Sequence, residues 1–293
     1  MYRSTCFIFM LCLFLALASP LAAQISRYTV LSQELDTNWQ TSTVRYRAVL
    51  DLHFYGQDAL VSSQRVIRQF NDDVPTHIEP LLREWALDSL YTVDREIEKY
   101  PTTLLRLYNH IKDIPLHTSR IGSDFKTVHI EYNYPLFPFI SDVFPRPLNE
   151  IPTRRFLPWV SSAEHTGLII YAKDPLPLVG TSEEVLLQVS LYPTIYDEDL
   201  NPIVTHEYYD AESFKRWGNA AYTTQVEDNR FLNRVGEYPL RIVAAKVYGL
   251  LPTDIVLYKY DAKRILHTES LIRAVRQGRI LIIVNDEHFE SKN

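Results

Sequence analysis

Two segments in the N-terminal part of the chain alternate polar and apolar residues. Residues 44–55 read Val-Arg-Tyr-Arg-Ala-Val-Leu-Asp-Leu-His-Phe-Tyr, and residues 125–134 read Phe-Lys-Thr-Val-His-Ile-Glu-Tyr-Asn-Tyr. Because the side chains of a strand point alternately to its two faces, a period of two is typical of a strand with one face buried. We therefore predict a strand in each segment, after a mixed lead-in over residues 25–40.

Between these strands, residues 60–111 carry apolar side chains at helical spacing. The members of this stripe recur at intervals of four or less: Val66, Phe70, Val74, Ile78, Leu82 and Trp85. Such spacing places them on one face of a helix. Pro75 and Pro80 interrupt the pattern, and a proline inside a helix costs about 3 kcal/mol. We therefore predict a break or a new helix start at these prolines, and a further helix that opens at Pro101.

The C-terminal half combines short apolar runs with two helical patterns. The apolar runs predict strands over residues 166–173, 185–196, 203–206, 238–249, 254–258 and 279–284. Helices are predicted over residues 211–217 and 262–277, the second with Asp261 as its N-cap and Gly278 as its stop. This order predicts an α+β fold, in which a mostly antiparallel sheet with covering helices is preceded by a strand and a helical N-terminal part.

Residues 136–160, between the two halves, are rich in proline and aromatic residues. Prolines limit regular structure throughout this segment: Pro138, Pro145, Pro147, Pro152 and Pro158. We predict an ordered surface loop, which serves either as a contact surface or as a linker between the halves. Aromatic side chains are enriched at protein interfaces. The residues predicted for such an interface are Phe137, Phe139, Phe144 and Trp159.

Residues 1–23 have the pattern of a secretory signal peptide. Arg3 supplies a positive start, an almost wholly apolar run follows, and small residues end the segment at Ala23. The alternative is an uncleaved anchor, but the apolar run is shorter than the roughly 20 residues that span a bilayer. We predict cleavage after Ala23 and export to a bacterial periplasm, with association at the outer membrane left open.

Both cysteines of the chain, Cys6 and Cys12, fall inside this leader. Cleavage therefore leaves a chain without a thiol for a disulfide, a metal site or a nucleophile. Bulky residues precede Cys12, where a lipidation motif needs small ones, so we expect no lipid anchor. The predicted divisions are a signal peptide (1–23), a strand–helix–strand region (24–135), the loop (136–160), an α+β region that is separate or forms one domain with the N-terminal region (161–285), and a polar tail (286–293).

Composition and missing motifs narrow the range of functions. The net charge is −6, whereas a nucleic-acid-binding protein needs clustered positive charge. The sequence contains no nucleophile elbow, no Walker loop and no dinucleotide-binding glycine motif. We therefore predict a protein that is not an enzyme, binds no nucleic acid, needs no cofactor and does not span a membrane after cleavage.

Three local patterns are reminiscent of functional motifs, and each has a simpler explanation. The acidic run Asp197, Glu198 and Asp199 offers calcium ligands, but it lacks the glycine and the final glutamate of an EF-hand loop, so a solvated turn is favoured. The candidate zinc ligands lack zincin spacing: His110, His117 and His129. Ser123 and Lys126 match Ser-x-x-Lys but open a predicted strand, without the partner motifs of serine acyl-transferases. We predict no metal site and no catalytic residue.

Five short segments of the C-terminal half resemble an uncharacterised group of exported bacterial proteins. In order, these are residues 166–172 (Thr-Gly-Leu-Ile-Ile-Tyr-Ala), 192–199 (Tyr-Pro-Thr-Ile-Tyr-Asp-Glu-Asp), 236–244 (Gly-Glu-Tyr-Pro-Leu-Arg-Ile-Val-Ala), 253–257 (Thr-Asp-Ile-Val-Leu) and 261–266 (Asp-Ala-Lys-Arg-Ile-Leu). That group is similar to the small envelope lipoproteins that include the flagellum-associated protein FlgP. The resemblance implies a non-enzymatic envelope protein that oligomerises or assembles with a partner, and it carries over no catalytic residue.

The sequence departs from that group in two ways. It has no lipobox, which puts outer-membrane anchoring in question. Residues 173–179 (Lys-Asp-Pro-Leu-Pro-Leu-Val) replace a glycine-rich stretch, which puts any function of that loop in question.

Three functional hypotheses follow from these patterns. The first is a periplasmic structural or assembly protein that contacts an envelope partner or its own copies. The second is a binding module for a small ligand or a glycan, in which Trp159, Tyr192 and Trp217 stack on the ligand. The third is a hydrolase whose histidines and carboxylates converge only in the fold. An aromatic-lined pocket would favour the second hypothesis.

Overall fold

The computed structural model describes residues 28–52, 59–145 and 164–288 of the chain. Its strands form a four-stranded sheet, a seven-stranded sheet and a two-stranded ribbon, with helices packed around them. The predicted α+β fold is confirmed. The predicted signal peptide and the greater part of the proline-rich segment lie outside the described residues.

The smaller sheet is built from the N-terminal half and is antiparallel throughout. Its strands are β1 (Tyr28–Asn38), β2 (Thr43–Leu52), β3 (Leu116–Ile121) and β4 (Thr127–Pro135), in the spatial order β1-β2-β4-β3. The two predicted strands correspond to β2 and β4, whose burial alternates as their sequence does. The pattern did not reveal β1 and β3, because most of their side chains are exposed and carry no period of two.

Helix α1 (Ala59–Leu82) packs its apolar stripe against this sheet. The five stripe residues inside the helix are at most 4% exposed, and the Phe70 ring stacks on Tyr46 with centroids 6.4 Å apart. The helix continues through Pro75 and Pro80, so the predicted break is wrong. Burying one such side chain stabilises the fold by about 1.5–3 kcal/mol. The stripe as a whole therefore outweighs the cost of the two prolines.

Three shorter helices complete the described N-terminal half: α2 (Val93–Lys99), α3 (Thr102–Lys112) and α4 (Leu136–Val143). Pro101 directly precedes α3, as predicted. Helix α4 occupies the start of the segment predicted as a loop, so that prediction is wrong over these residues. The helix forms because its apolar side chains, among them Leu136 and Ile140, are buried in the core.

The larger sheet comes from the C-terminal half and is mixed. Its strands are β5 (Leu168–Tyr171), β8 (Ile195–Tyr196), β9 (Pro202–Val204), β10 (Ala221–Thr223), β11 (Leu240–Tyr248), β12 (Asp254–Leu257) and β13 (Ile280–Ile283). Their spatial order is β10-β13-β5-β11-β12-β8-β9. The first four are parallel to one another, β12 is antiparallel to β11, and β8 and β9 form the predicted hairpin. The strands β6 (Leu176–Pro177) and β7 (Glu184–Val185) form the ribbon.

Helices of the described C-terminal half flank this sheet: α5 (Ala211–Trp217), α6 (Leu232–Val235), α7 (Lys259–His267) and α8 (Glu269–Arg276). Helix α5 has its predicted bounds. The single helix predicted over residues 262–277 is two helices that meet at Thr268. Asp261 lies in the first turn of α7 rather than at its N-cap, whereas α8 ends just before Gly278, the predicted stop.

One buried cluster connects the two halves. The Trp39 ring, just after β1, lies 6.3 Å from the ring of Trp85 and 5.8 Å from that of Tyr222, between centroids. The backbone N–H of Tyr192 donates to the carbonyl oxygen of Leu87 at 2.7 Å. The two halves therefore meet along a seam whose interior is apolar.

Candidate functional site

A cleft of about 290 Å³ lies where the turn between β1 and β2 meets helices α5 and α6. The residues that line it are Thr41, Ser42, Pro135, Phe137, Arg216, Trp217, Arg230, Phe231, Asn233 and Arg234. Three are arginines, and the described lining contains no carboxylate and no histidine. The volume is at the lower end of the range for small-molecule sites. We call this the junction cleft, since it combines residues from both halves.

Arg234 is the buried cation of the junction cleft, with only 5% of its surface exposed. Its Nε donates to the carbonyl oxygen of Gly278 at 2.8 Å. Its two terminal nitrogens donate to the carbonyl oxygens of Trp217 at 2.8 Å and Gly218 at 3.1 Å. Burial lowers the pKa of Arg234 to about 9, because the charged form loses hydration. The described residues thus give each of its three nitrogens one carbonyl acceptor but no carboxylate partner.

Trp217, the last residue of α5, presents its indole ring to two of the arginines. The indole N–H donates to the carbonyl oxygen of Gln277 at 2.8 Å, which fixes the ring. The guanidinium carbon of Arg216 lies 4.5 Å from the ring centroid, and that of Arg234 lies 5.5 Å from it. Both distances are within the range of cation–π attraction. Arg216 is exposed, so the ring holds a solvent-accessible cation at the cleft.

Arg230 differs from the other two arginines because Asp228 neutralises it. Its Nε and one terminal nitrogen donate to the two carboxylate oxygens of Asp228 at 2.8 and 2.6 Å. The Asp228 side chain is only 2% exposed. The Arg230 guanidinium holds the pKa of the Asp228 carboxyl below its usual range. Within the described part of the chain, the cleft therefore keeps two cations without a carboxylate partner, Arg216 and Arg234.

Phe137 lines the cleft where the halves meet, and its ring packs on the backbone of Gly218. Gly218 has a φ of +72°, a region that favours glycine. A β-carbon at this position would lie 2.1 Å from Cζ of Phe137, so the aromatic ring packs directly on the backbone. Nearby, the N–H of Leu136 donates to the carbonyl oxygen of Ser42 at 2.7 Å. These contacts hold the end of α5 against α4 and against the turn after β1.

A second candidate feature is the face of the larger sheet that points away from the shared core. A small buried cluster covers part of this face: Ile169, Ala221, Phe231, Val235, Leu281 and Ile283. Beyond it, Tyr171 is half-buried, and Val226 and Val243 are each 53% exposed. Val243 lies beside Tyr171 in the β11–β5 register, and the carbonyl oxygen of Val226 accepts from Arg241 at 3.1 Å. We call Tyr171, Val226 and Val243 the outer-face patch.

The aromatic residues predicted for an exposed interface are largely buried. Phe137, Phe139 and Phe144 are 9%, 6% and 1% exposed. The Phe139 ring packs edge-on against Tyr134 at 5.2 Å. These rings fill the core because α4 turns its apolar side inward, which corrects the expectation that they form a surface. Trp159 lies outside the described residues.

Of the residues predicted to stack on a ligand, Trp217 lines the cleft and Tyr192 does not. Tyr192 is fully buried, and its hydroxyl donates to the carbonyl oxygen of Phe144 at 2.6 Å. The three cleft arginines were not identified from the sequence. The four-residue spacing of Arg230 and Arg234 is a weak signal, because Arg230 lies in a 3-10 turn before α6 and only Arg234 lies inside that helix. The approach of Arg216 depends on the packing of α5 and has no local signal.

The acidic turn after β8 is closed by its own hydrogen bonds. Asp197 accepts the N–H of Asp199 at 3.0 Å and that of Asn201 at 2.8 Å, and Lys259 pairs with Asp199 at 2.6 Å. Its acceptors are therefore used by the turn itself and by Lys259 at the start of α7. Among the residues that the structure describes, no group of three or more His, Cys, Asp or Glu side chains could hold a metal ion. No helix in those ranges has both the length and the apolarity needed to cross a bilayer.

Residues 167–286 match the sequence model of the family described as Treponema pallidum Tp0624, second domain. The matched range includes every strand of the larger sheet, the outer-face patch and the three cleft arginines, although it is less than half of the chain. No curated protein matches the chain. The C-terminal half is thus similar to a domain of a bacterial protein, and the match does not extend to the smaller sheet.

Proposed function

We propose that the protein is a non-enzymatic exported protein of a bacterial envelope, with a structural or assembly role through protein–protein contacts. The observation that carries this proposal is the outer-face patch of Tyr171, Val226 and Val243. Parallel strands are normally covered on both faces, and exposed apolar patches often mark contact sites. The leader pattern supports export, and the similarity of residues 167–286 to a Treponema pallidum domain supports a bacterial origin.

A finer proposal concerns the kind of assembly. The ordered short segments resemble a group of exported bacterial proteins that is itself similar to the envelope lipoproteins that include FlgP. This resemblance supports a role beside a surface or motility apparatus. The partner is then a second copy of this chain or another envelope protein. Because the leader has no lipobox, we propose that the protein reaches its assembly through contacts and not through its own lipid anchor.

Light scattering after size-exclusion chromatography tests the assembly role on chain exported from a bacterial host. We expect an oligomer, or co-elution with an envelope protein, and we expect Val243→Glu to abolish it because a carboxylate would be desolvated in the contact. Leu105→Glu is the matched control, since Leu105 on α3 is 64% exposed and lies in the other half. A strictly monomeric protein without a partner, or equal effects of the two variants, would overturn the proposal.

A second candidate function is the binding of a small ligand, and the junction cleft favours it. Its size, its cationic lining and the indole of Trp217 are features of a binding site rather than of a catalytic one. A hydrolase needs a general base beside the substrate. The described lining of the cleft offers neither histidine nor carboxylate for that role.

A further inference from the structure

We infer that the junction cleft binds a compact anionic ligand, whose carboxylate or phosphate group is held between Arg216 and Arg234 beside Trp217. This inference rests on the second candidate function above and adds the chemical class of the ligand. The inference follows from the partners of the three cleft arginines, which differ from one arginine to the next.

Arg234 is the first reason for an anion. A buried cation without a counter-charge is unfavourable, yet Arg234 is 5% exposed and its recorded acceptors are three carbonyl oxygens. A guanidinium has five N–H groups. The second N–H on each terminal nitrogen therefore has no acceptor among the described residues. Carboxylates and phosphates supply the pair of oxygens that such a fork binds.

Arg216 is the second reason. It is exposed, it lines the same cleft, and within the described ranges it forms no ion pair. The Trp217 ring lies 4.5 Å from its guanidinium carbon and orients it without neutralising it. Arg230 is excluded as a main contact, because the two oxygens of Asp228 already occupy its fork.

The remaining lining sets the size and polarity of the ligand. Thr41, Ser42 and Asn233 offer hydroxyl and amide groups, whereas Phe137 and Phe231 offer apolar surface. A volume of about 290 Å³ suits a single sugar-sized group rather than a long chain. Since Arg216 lies over the indole, a neutral sugar would have to displace a cation to stack there. We therefore expect the negative charge of a ligand to matter more for its affinity than the shape of its ring.

Isothermal titration of the exported chain at low salt tests the inference with three probes that share one ring. Glucuronate carries a carboxylate, glucose 6-phosphate carries a phosphate, and glucose is neutral. We expect at least one anionic probe to bind roughly tenfold or more tightly than glucose. The comparison between the two anions identifies which acid the cleft prefers.

Arg216→Gln should weaken the binding of the anionic probe by roughly tenfold, because it removes one of the two cations that have no carboxylate partner. Lys215→Gln is the control: it makes the same charge change one residue away, on a side chain that is 66% exposed and does not line the cleft. Circular dichroism of both variants checks that they fold, and the choice of exposed positions avoids a substitution at the buried Arg234.

The outcomes separate this inference from the functions on which it rests. Equal affinity for glucose and the anions, or equal effects of the two variants, overturns the anionic class while leaving a ligand-binding cleft in place. No binding by any probe overturns both the inference and the second candidate function. The assembly role is unaffected in either case, since light scattering decides it.

Discussion

The two sheets of this protein treat their second faces differently. The smaller sheet buries one face under α1 and turns charged residues outward, where Arg47 pairs with Glu34 at 3.0 Å and Arg45 lies 3.6 Å from Glu131. The larger sheet carries apolar residues on both faces, and its second face is only partly covered, leaving Val243 exposed. A sheet with one charged face can leave that face exposed to water, whereas a sheet with two apolar faces is stabilised when other parts of the protein or a partner bury both. The difference locates the expected contacts in the C-terminal half.

The largest expected effect comes from the same Phe→Ala substitution made beside each of the two sheets. Phe70→Ala should lower the free energy of unfolding by about 4 kcal/mol, because Phe70 is fully buried between α1 and the smaller sheet. Phe231→Ala should lower the free energy of unfolding by only about 2 kcal/mol. The buried cluster on the outer face is small, so water can enter the space that the ring leaves. Urea unfolding of both variants measures the difference. A larger loss for Phe231→Ala would mean that the outer face is as much a core as the inner one.

The next effect concerns Asp254, a titratable side chain that is buried at the start of β12 in the larger sheet. This residue is 1% exposed and accepts the N–H of Thr194 at 3.0 Å. Burial raises the pKa of Asp254 from 3.8 to about 6. Between those values the folded state keeps a proton that the unfolded state has released, so stability falls as the pH rises through this window. Across the window, the shift in pKa corresponds to a change of about 3 kcal/mol in the free energy of unfolding.

Asp254→Asn should therefore remove a decline in stability between about pH 4 and pH 6, as the linkage between pKa and folding requires. Urea unfolding at both ends of that window measures the decline. Asp113→Asn, at an exposed position after α3, is the control and should leave the profile unchanged. If wild type and Asp254→Asn show parallel profiles, the carboxyl does not titrate as its burial implies.

A smaller effect tests the seam where the halves meet at the cleft. Gly218→Ala should destabilise the protein by about 2 kcal/mol more than Gly180→Ala. Both glycines have a positive φ, but a β-carbon at Gly218 meets the Phe137 ring, whereas one at Gly180 meets nothing within 4 Å. Thermal unfolding of the pair isolates the steric contact from the backbone strain. Equal losses would show that Phe137 can move away, and that the halves are not locked at the cleft.

The smallest effect belongs to the charged face of the smaller sheet. Arg47→Gln should change the free energy of unfolding by less than about 0.5 kcal/mol, because Arg47 and Glu34 are both about half exposed. Chemical denaturation at low and high salt measures it. A loss well above that value would mean that this face is organised by its ion pairs.

Sequence periodicity predicted the parts of the fold in which one face is buried and the other is wet. Strands β2 and β4 alternate cleanly, and α1 carries its stripe at every fourth residue. Strand β1 escaped notice because it is an edge strand with a register shift between Val30 and Ser32 and mostly exposed side chains. The parallel pairing of β5 with β11 and β13 has no local signal, since it joins segments far apart in sequence.

The candidate site was less accessible to sequence reasoning than the fold. Proline content in residues 136–160 suggested a surface, yet the aromatic residues at its start are buried because α4 faces the core. The cleft arginines come from α5 and from the segment before β11, and only packing brings Arg216 to Arg234. Of the residues singled out from the sequence, Trp217 and Phe137 lie at this site.

Cysteine labelling most directly tests whether the larger sheet presents a contact face. Both native cysteines lie in the predicted leader, so a chain that begins after Ala23 can carry one engineered thiol at a time. In intact cells of the native host, Val243→Cys should react with a maleimide many times more slowly than Leu105→Cys, although the two side chains are 53% and 64% exposed in the isolated chain. Protection of position 243 alone is the predicted result. Equal labelling rates at the two positions would contradict a contact on the outer face.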